Sequence, residues 1–338
     1  SDCAEYPEMP LGVIGKAYTG DANEPVLGFA EVHTHMSNAD QLSDGSTPDG
    51  AAAGGVLYGH AVDRFGVTHA LDNCEAIHGP DGLLDPEALV LDTNPGQLHD
   101  TQGWPSFVDW PFHDSMLHQQ MYWRWVERAW LSGLKVMSML GTNIEALCEF
   151  GRDATGAQRN YEGEVDCKDM SIGMKQVKYA FVIQDYIDAQ YGGPGEGWYR
   201  IVTSPQQARE VINDGKLAVV LGMEAAQLFD CGMTMLLGNI EIPKCDREQI
   251  DDKLQELWDL GVRHLYAYHD IDSALGGTGI FSDIMNLLNL IATGSFWKTT
   301  DCRDYPESEP MVREPGLKIV TSLPGTGGDP LTSLVLDI

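Results

Sequence analysis

The sequence KLAVVLGME, residues 216–224, is a run of apolar residues and one glycine between a lysine and a glutamate. An apolar run of this length predicts a β-strand covered on both faces, as in a parallel sheet. A helix predicted at residues 204–213 precedes it, starting at a Ser-Pro pair, and an amphipathic helix predicted at residues 246–260 follows it. Strand and helix therefore alternate around this run, which is typical of a parallel α/β sheet.

The same alternation extends to both sides of this strand. Further strands are predicted at residues 26–33, 67–71, 134–140 and 262–268, and further helices at residues 115–132, 170–191 and 281–292. The helix predicted at residues 246–260 is expected to turn Leu254, Leu257 and Trp258 inward.

The predicted fold class is α/β, a (β/α)8 TIM-barrel-like fold that is incomplete in this chain. About five or six strands are predicted, fewer than the eight that close such a barrel. Residues 1–292 are expected to form its N-terminal part, with loop insertions. Residues 293–338 are interpreted as an irregular acidic and proline-rich extension, leading to a missing or separate second part of the barrel.

The net charge of the chain argues against two kinds of partner. The 338 residues include 21 Lys+Arg and 51 Asp+Glu, a formal net charge of −30. Nucleic acid and anionic bilayers are bound mainly through Lys and Arg, so neither is expected as a partner. No apolar stretch approaches the roughly 20 residues that a membrane span needs.

The cysteines indicate an oxidising compartment. Six of the seven lie in or beside polar stretches that are typical of loops, which favours disulfides over buried thiols. We therefore expect a secreted, periplasmic or extracellular protein whose signal peptide has been removed. Cys74 has no obvious place in this scheme, and the odd count leaves one cysteine free or joined to another polypeptide.

Three strand ends carry candidate metal chemistry. His33 and His35, in FAEVHTH at residues 29–35, point to the same side of a strand and could bind one metal ion. Glu224 ends a buried strand, where an unpaired carboxylate would cost several kcal/mol and therefore needs a cation. Of the two histidines in the later strand, His269 is expected at the site and His264 behind the sheet, because their odd spacing puts them on opposite faces.

These motifs resemble the membrane dipeptidases (renal dipeptidase, peptidase M19), a branch of the amidohydrolase superfamily. The resemblance is carried by HTH at residues 33–35, by LGME at residues 221–224 after a Gly-Lys pair, and by LGVRHL at residues 260–265 before YH at residues 268–269. Its most specific parts are the segments around Glu224 and His269.

The resemblance implies a metal-dependent hydrolase with a barrel fold and two zinc ions, although another divalent metal is possible. It implies that His33 and His35 are ligands of the first metal and that Glu224 is a bridging and catalytic carboxylate. It also implies that His269 is a catalytic residue that contacts the substrate, polarising the scissile carbonyl or steadying the tetrahedral intermediate, without being a metal ligand. A metal-activated water would then attack a small amide, peptide or ester.

The chain also departs from this family. His35 stands where many of the dipeptidases carry aspartate, and an added segment holds Cys231 and Cys245, which we expect to pair over the mouth of the site. Cys148 and Cys167 are the next candidate pair. The histidines and the aspartate that the family carries after the position of His269 have no clear counterpart.

Three explanations are open for that missing part: a proteolytically split barrel completed by a second polypeptide, a sequence that stops early, or a degenerate barrel. A homo-oligomer could also complete the fold. The alternative function is a non-catalytic structural or assembly subunit. His78 and His99 have no partner at a useful spacing, and His118 is interpreted as a packing residue near a helix start.

Overall fold

The computed structural model describes residues 25–37, 58–82, 99–104, 118–149, 166–236, 240–278 and 283–297. The strands are β1 (Phe29–Thr34), β2 (Leu134–Asn143), β3 (Tyr199–Val202), β4 (Leu217–Ala225), β5 (Met233–Leu236), β6 (Ile240–Pro243) and β7 (His264–Tyr266). The helices whose two ends are both described are α1 (Val67–Ala70), α2 (Glu75–His78), α3 (Trp123–Leu131), α4 (Asp169–Gln190), α5 (Pro205–Asn213), α6 (Arg247–Asp259) and α7 (Asp283–Thr293).

Five of the strands form one parallel sheet. Its order is β1-β2-β4, and both β3 and β7 pair with β4. β3 pairs with the first half of β4, from Leu217 to Val220, and β7 pairs with the second half, from Gly222 to Glu224. The result is a curled half-barrel sheet, which is consistent with part of a (β/α) fold. β5 and β6 form a separate antiparallel hairpin.

β4 is the central strand of this sheet, as its apolar run predicts. Val219, Leu221 and Met223 lie in the main hydrophobic core. Because side chains alternate along a strand, Glu224 points to the opposite face, at the carboxyl end of the sheet. The sequence thus places one carboxylate at the edge where parallel strands present their functional groups.

α4 packs closely against the sheet at a glycine contact. A Cβ atom added to Gly141 in β2 would lie 2.4 Å from the carbonyl oxygen of Gly173 in α4, and one added to Gly173 would lie 2.3 Å from Met223 Sδ. Contacts this short exclude larger side chains unless the backbone moves. The two glycines therefore allow the helix to lie directly on the sheet.

Two predicted helices begin at the expected capping residues. Ser204 Oγ accepts a hydrogen bond from the backbone N–H of Gln207 at 3.2 Å, and Pro205 follows it at the start of α5. Asp246 Oδ1 accepts from the N–H of Gln249 at 2.9 Å at the start of α6. These bonds satisfy donors that a helix start leaves without an intrahelical partner.

A buried ion pair fixes the connection from α4 to β3. Asp188 accepts hydrogen bonds from the backbone N–H groups of Gly195 and Gly197, both at 2.8 Å, and from Arg200 at 2.5 Å. Burial favours the neutral acid, but the arginine and the two N–H groups hold the pKa of Asp188 below its usual range.

Several local predictions are wrong. Residues 67–71 were expected to form a strand, but Val67–Ala70 is a short helix whose Val67 and Ala70 are buried in the core, so tertiary packing overrides β propensity. The helix predicted at residues 115–132 begins only at Trp123. The short strand β3 has no strong apolar run and was not predicted.

The inner face of α6 also differs from the prediction. Leu257 is buried, as expected, but Leu254 and Trp258 are 41% and 56% exposed. The guanidinium of Arg263 lies 3.5 Å from the centre of the Trp258 ring and covers its apolar face. A cation–π contact at the surface therefore replaces the expected core packing.

Both predicted disulfides are present. Cys148 pairs with Cys167 and Cys231 pairs with Cys245, while Cys74 is buried and is in neither disulfide. Two disulfides indicate folding in an oxidising compartment. Among the described residues, no helix combines the length and apolar character that crossing a bilayer requires. The predicted boundary at residue 293 lies near the end of the described residues, and the extension beyond residue 297 lies outside them.

Candidate functional site

The structure brings His33, His35 and Glu224 together at the carboxyl ends of β1 and β4. His33 Nε2 lies 2.7 Å from Glu224 Oε2, and His35 Nε2 lies 3.1 Å from the same oxygen. Both imidazoles reach across β2, which separates the two strands in the sheet. Residues that are 189 or more positions apart in sequence meet here because parallel strands end at one edge of the sheet.

The contact made by the other ring nitrogen of His35 indicates which of its two nitrogens carries a hydrogen. His35 Nδ1 lies 3.2 Å from the carbonyl oxygen of Leu140 in β2. A carbonyl oxygen only accepts, so Nδ1 must carry a hydrogen and donate it. In a neutral ring Nε2 would then present a lone pair to the carboxylate of Glu224, and two acceptors would face each other. A cation is therefore required between them, either a proton or a metal ion.

Glu224 is a buried anion. Its side chain is 2% exposed. Burial alone would raise its pKa, but the hydrogen bond with His35 and the positive charges of His269, His35 and His33 lower the pKa to about 2. The carboxylate is thus ionised at neutral pH, in a place where an ionised carboxylate needs compensating positive charge.

The second oxygen of Glu224 faces a different pair of residues. His269 Nε2 lies 3.3 Å from Glu224 Oε1 and 3.1 Å from Asp270 Oδ2. Burial and the charge of Glu224 raise the pKa of Asp270, although the imidazole of His269 opposes this effect. His269 Nδ1 is buried and has no hydrogen-bond partner among the described residues. Asp270 was not predicted, yet a carboxylate directly after a strand-end histidine could have suggested it.

His264 does not lie behind the sheet, as the sequence analysis expected. Its ring lies 5.0 Å from that of Tyr266, which in turn lies 5.2 Å from the ring of His33. His264 Nδ1 also hydrogen bonds with Ser138 Oγ at 2.7 Å. The prediction is wrong because β7 ends at Tyr266, so strand alternation does not continue to His269.

His33, His35 and Glu224 together offer the donor atoms of a metal site. One ligand atom from each of His33, His35 and Glu224 lies within 4.8 Å of the others. Two imidazole nitrogens and a carboxylate oxygen are common ligands of zinc, and an imidazole whose other nitrogen donates to a carbonyl is oriented for metal binding. The residues therefore fit a metal ion, whose identity and number the geometry leaves open.

A second group of possible metal ligands lies elsewhere in the fold. Cys74, His78, His99 and His118 each place one ligand atom within 4.8 Å of the others. We call these four residues the Cys–His cluster. The side chains of Cys74, His78 and His118 are buried, and that of His99 is partly buried. Burial, followed by the neighbouring charges of His78 and His99, lowers the pKa of His118 to about 2, so its imidazole is neutral.

This cluster was not predicted from the sequence. His78 and His99 were expected to have no partner, and His118 was interpreted as a packing residue. One signal was present, because Cys74 and His78 are four residues apart and therefore lie on the same side of a helical turn. His99 and His118 come from separate segments, and only the tertiary fold brings them near that turn.

The disulfide between Cys231 and Cys245 lies on the segment between β4 and α6. The carbonyl oxygen of Cys231 accepts a hydrogen bond from the N–H of Ala274 at 2.9 Å, which ties this segment to the loop that follows His269. The expected position of the disulfide over the mouth of the site stays a prediction.

Comparison of the chain with protein-family models, with curated proteins and with solved structures finds no match. The resemblance to the membrane dipeptidases therefore depends on the sequence motifs alone.

Proposed function

We propose that this chain is an exported metal-dependent hydrolase whose metal is held by His33, His35 and Glu224. One observation carries the proposal: two imidazoles from one strand and a buried, ionised carboxylate from another converge on a single oxygen, at 2.7 and 3.1 Å. A buried anion and two nitrogen donors at the carboxyl edge of a parallel sheet are what a catalytic metal site requires.

The protein's own groups would hold and orient the ion. The carbonyl of Leu140 fixes the ring of His35 with Nε2 directed at Glu224, and Glu224 supplies the negative charge. The side chain of His33 is 42% exposed, so solvent and a small substrate can approach from that side. When bound, a metal ion would lower the pKa of a coordinated water and polarise a carbonyl group.

His269 and Asp270 would act on the other side of the carboxylate. His269 Nε2 lies between Glu224 Oε1 and Asp270 Oδ2, so this nitrogen can hold a proton near developing negative charge. The same geometry would also allow Glu224 to bridge a second ion. The resemblance to dipeptidases proposes zinc as the metal and a small amide, peptide or ester as the substrate.

Localisation and partners are parts of the same proposal. Two disulfides support an exported protein. Exposed apolar residues on β1 and just before it, among them Leu27, Phe29 and Val32, support a second polypeptide or a second copy that completes the half-barrel.

Metal analysis combined with a substrate panel tests the proposal. The full chain, stripped with a chelator and reloaded with zinc, should hydrolyse at least one member of a panel of dipeptides, acylated amino acids and simple esters. His33→Ala and His35→Ala should each remove metal from this site and abolish turnover. His69→Ala, at an exposed histidine that pairs with Asp63, is the matched control and should change neither property.

The two candidate functions predict different results. Hydrolysis that requires zinc, His33 and His35 supports the enzyme. Zinc-loaded protein that is folded but turns over no member of the panel would favour a structural or assembly subunit instead.

A further inference from the structure

We propose that the Cys–His cluster is a second metal site, which binds one zinc-class ion through four protein ligands and fastens the connection between β1 and β2. This site is separate from that of His33, His35 and Glu224 and does not depend on the function proposed for it. Its role would be structural, because four protein ligands leave no open position for substrate.

The spacing of the ligand atoms fits tetrahedral coordination. Bond lengths of about 2.05 Å to nitrogen and 2.3 Å to sulfur place two nitrogens about 3.3 Å apart and a sulfur and a nitrogen about 3.6 Å apart. In the structure His78 Nδ1 lies 3.3 Å from His99 Nε2, and Cys74 Sγ lies 3.4 Å from the same nitrogen. For these two pairs an ion would require shifts of only a few tenths of an ångström, and the remaining ligand atoms lie within 4.8 Å of one another.

The three imidazole rings are arranged around a common point. The ring centres of His78, His99 and His118 are 4.7 to 5.2 Å apart, and each pair of rings is inclined at 77° to 87°. Rings that stacked for packing alone could lie offset and parallel. Perpendicular rings also occur in ordinary aromatic packing. What favours a shared ion is that the ring nitrogens approach one another, as His78 Nδ1 and His99 Nε2 do at 3.3 Å.

The chemistry of the four donors selects the ion. A thiolate with three imidazoles suits zinc and related late transition metals and is poor for calcium or magnesium, which take oxygen ligands. Metal coordination would also explain how the thiol of Cys74 stays outside any disulfide in a protein whose other described cysteines are oxidised.

The surrounding backbone holds the ligands in place. The N–H of Cys74 donates to the carbonyl of Thr101 at 3.0 Å, and the N–H of Gln119 donates to the carbonyl of Tyr58 at 2.7 Å. The segments that carry His99 and His118 are therefore both hydrogen bonded to residues 58–82, the segment that carries Cys74 and His78. A Cβ atom on Gly82 would lie 2.2 Å from His99 Nδ1, which shows how closely the chain encloses that ring.

The described residues between β1 and α3 contain little regular secondary structure. Within the described residues between β1 and α3, the α-helices are the two four-residue helices α1 and α2. Short helices are marginal alone and need tertiary contacts. A metal ion that joins α2 to the segments of His99 and His118 would supply such a link, as structural zinc does in small domains.

Cobalt substitution tests the inference directly. The full chain is stripped of metal by a chelator in mild denaturant, refolded and titrated with Co²⁺. A thiolate-to-cobalt charge-transfer band should grow until the cluster of each chain holds one cobalt ion, whatever further cobalt the site of His33, His35 and Glu224 takes up. Cys74→Ser should lose this band and should bind zinc at that site on the order of 100-fold more weakly or worse.

Two controls separate this site from the proposed catalytic one. Glu224→Gln should keep the full charge-transfer band, and so should His69→Ala. A cobalt-loaded wild-type chain without the band would overturn the inference, as would a band that survives in Cys74→Ser.

A second measurement covers the case in which Cys74→Ser fails to fold. X-ray absorption at the zinc edge of the wild-type chain should show one sulfur scatterer at about 2.3 Å in the ion held by the cluster. Zinc-loaded protein with nitrogen and oxygen scatterers only would overturn the inference.

Discussion

Glu224→Gln is the substitution that discriminates most sharply between a metal-centred site and a cluster of hydrogen-bonded side chains. Glutamine keeps the shape of the side chain and removes its charge. The pKa of Glu224 is lowered from 4.5 to about 2, so its surroundings favour the charged form by about 3 kcal/mol after the cost of burial is included. This energy measures how strongly the site stabilises an anion that faces positive charge.

The charge of this carboxylate should also contribute to metal affinity. Removing a residue that only orients a metal ligand typically costs about 10- to 100-fold in affinity, so removing the charge of a ligand itself should weaken zinc binding by roughly 100-fold or more. The assay is competition for zinc between the protein and a chromophoric chelator, followed by turnover at saturating zinc. Glu224→Gln is expected to show both the weaker binding and the loss of turnover.

Glu31→Gln is the matched control for this experiment. Glu31 is an exposed carboxylate in β1, two residues before His33. Its replacement by glutamine makes the same chemical change near the site but leaves the two buried carboxylate oxygens of Glu224 in place. Equal zinc affinity and equal turnover in wild type and Glu224→Gln would refute the reasoning.

The remaining predictions concern stability. Replacing Cys231 and Cys245 by serine opens a link with a sequence separation of 14 residues and should lower the free energy of unfolding by about 3 kcal/mol; an unchanged urea midpoint would contradict this. The pKa of Asp188 is lowered by its arginine partner and two backbone N–H groups, against the effect of burial. The stabilisation is therefore present above the unfolded-state pKa and is lost as the pH falls through the native one. Asp188→Asn should lower stability at pH 7 and flatten this acid limb, and identical acid limbs for the two proteins would speak against it. Leu257→Ala should cost about 2 to 5 kcal/mol, whereas Leu254→Ala should change stability by about 0.5 kcal/mol or less. Thermal unfolding compares the last two variants, and equal costs would show that the two leucines have equivalent surroundings.

Periodicity and strand-end reasoning account for the parts of the molecule that local sequence determines. The apolar run of β4 and the capped start of α5 are encoded within a few residues, and both occur as predicted. The meeting of His33, His35 and Glu224 follows from the rule that parallel strands end at one edge.

Other features depend on tertiary contacts that no local pattern encodes. The Cys–His cluster assembles from three segments, so the spacing between Cys74 and His78 could suggest only half of it. The position of His264 depends on where β7 ends. Trp258 lies at the surface with Arg263, which follows the end of α6, against one face of its ring. In each case the position of a side chain depends on a residue that lies outside the short sequence motif from which the prediction was made.

Anomalous diffraction at the zinc edge tests the central claim most directly. Crystals of the full chain grown with zinc should give an anomalous peak about 2 Å from His33 Nε2, His35 Nε2 and the nearer oxygen of Glu224. A well-ordered crystal that contains zinc but shows no anomalous density between those three atoms would contradict it.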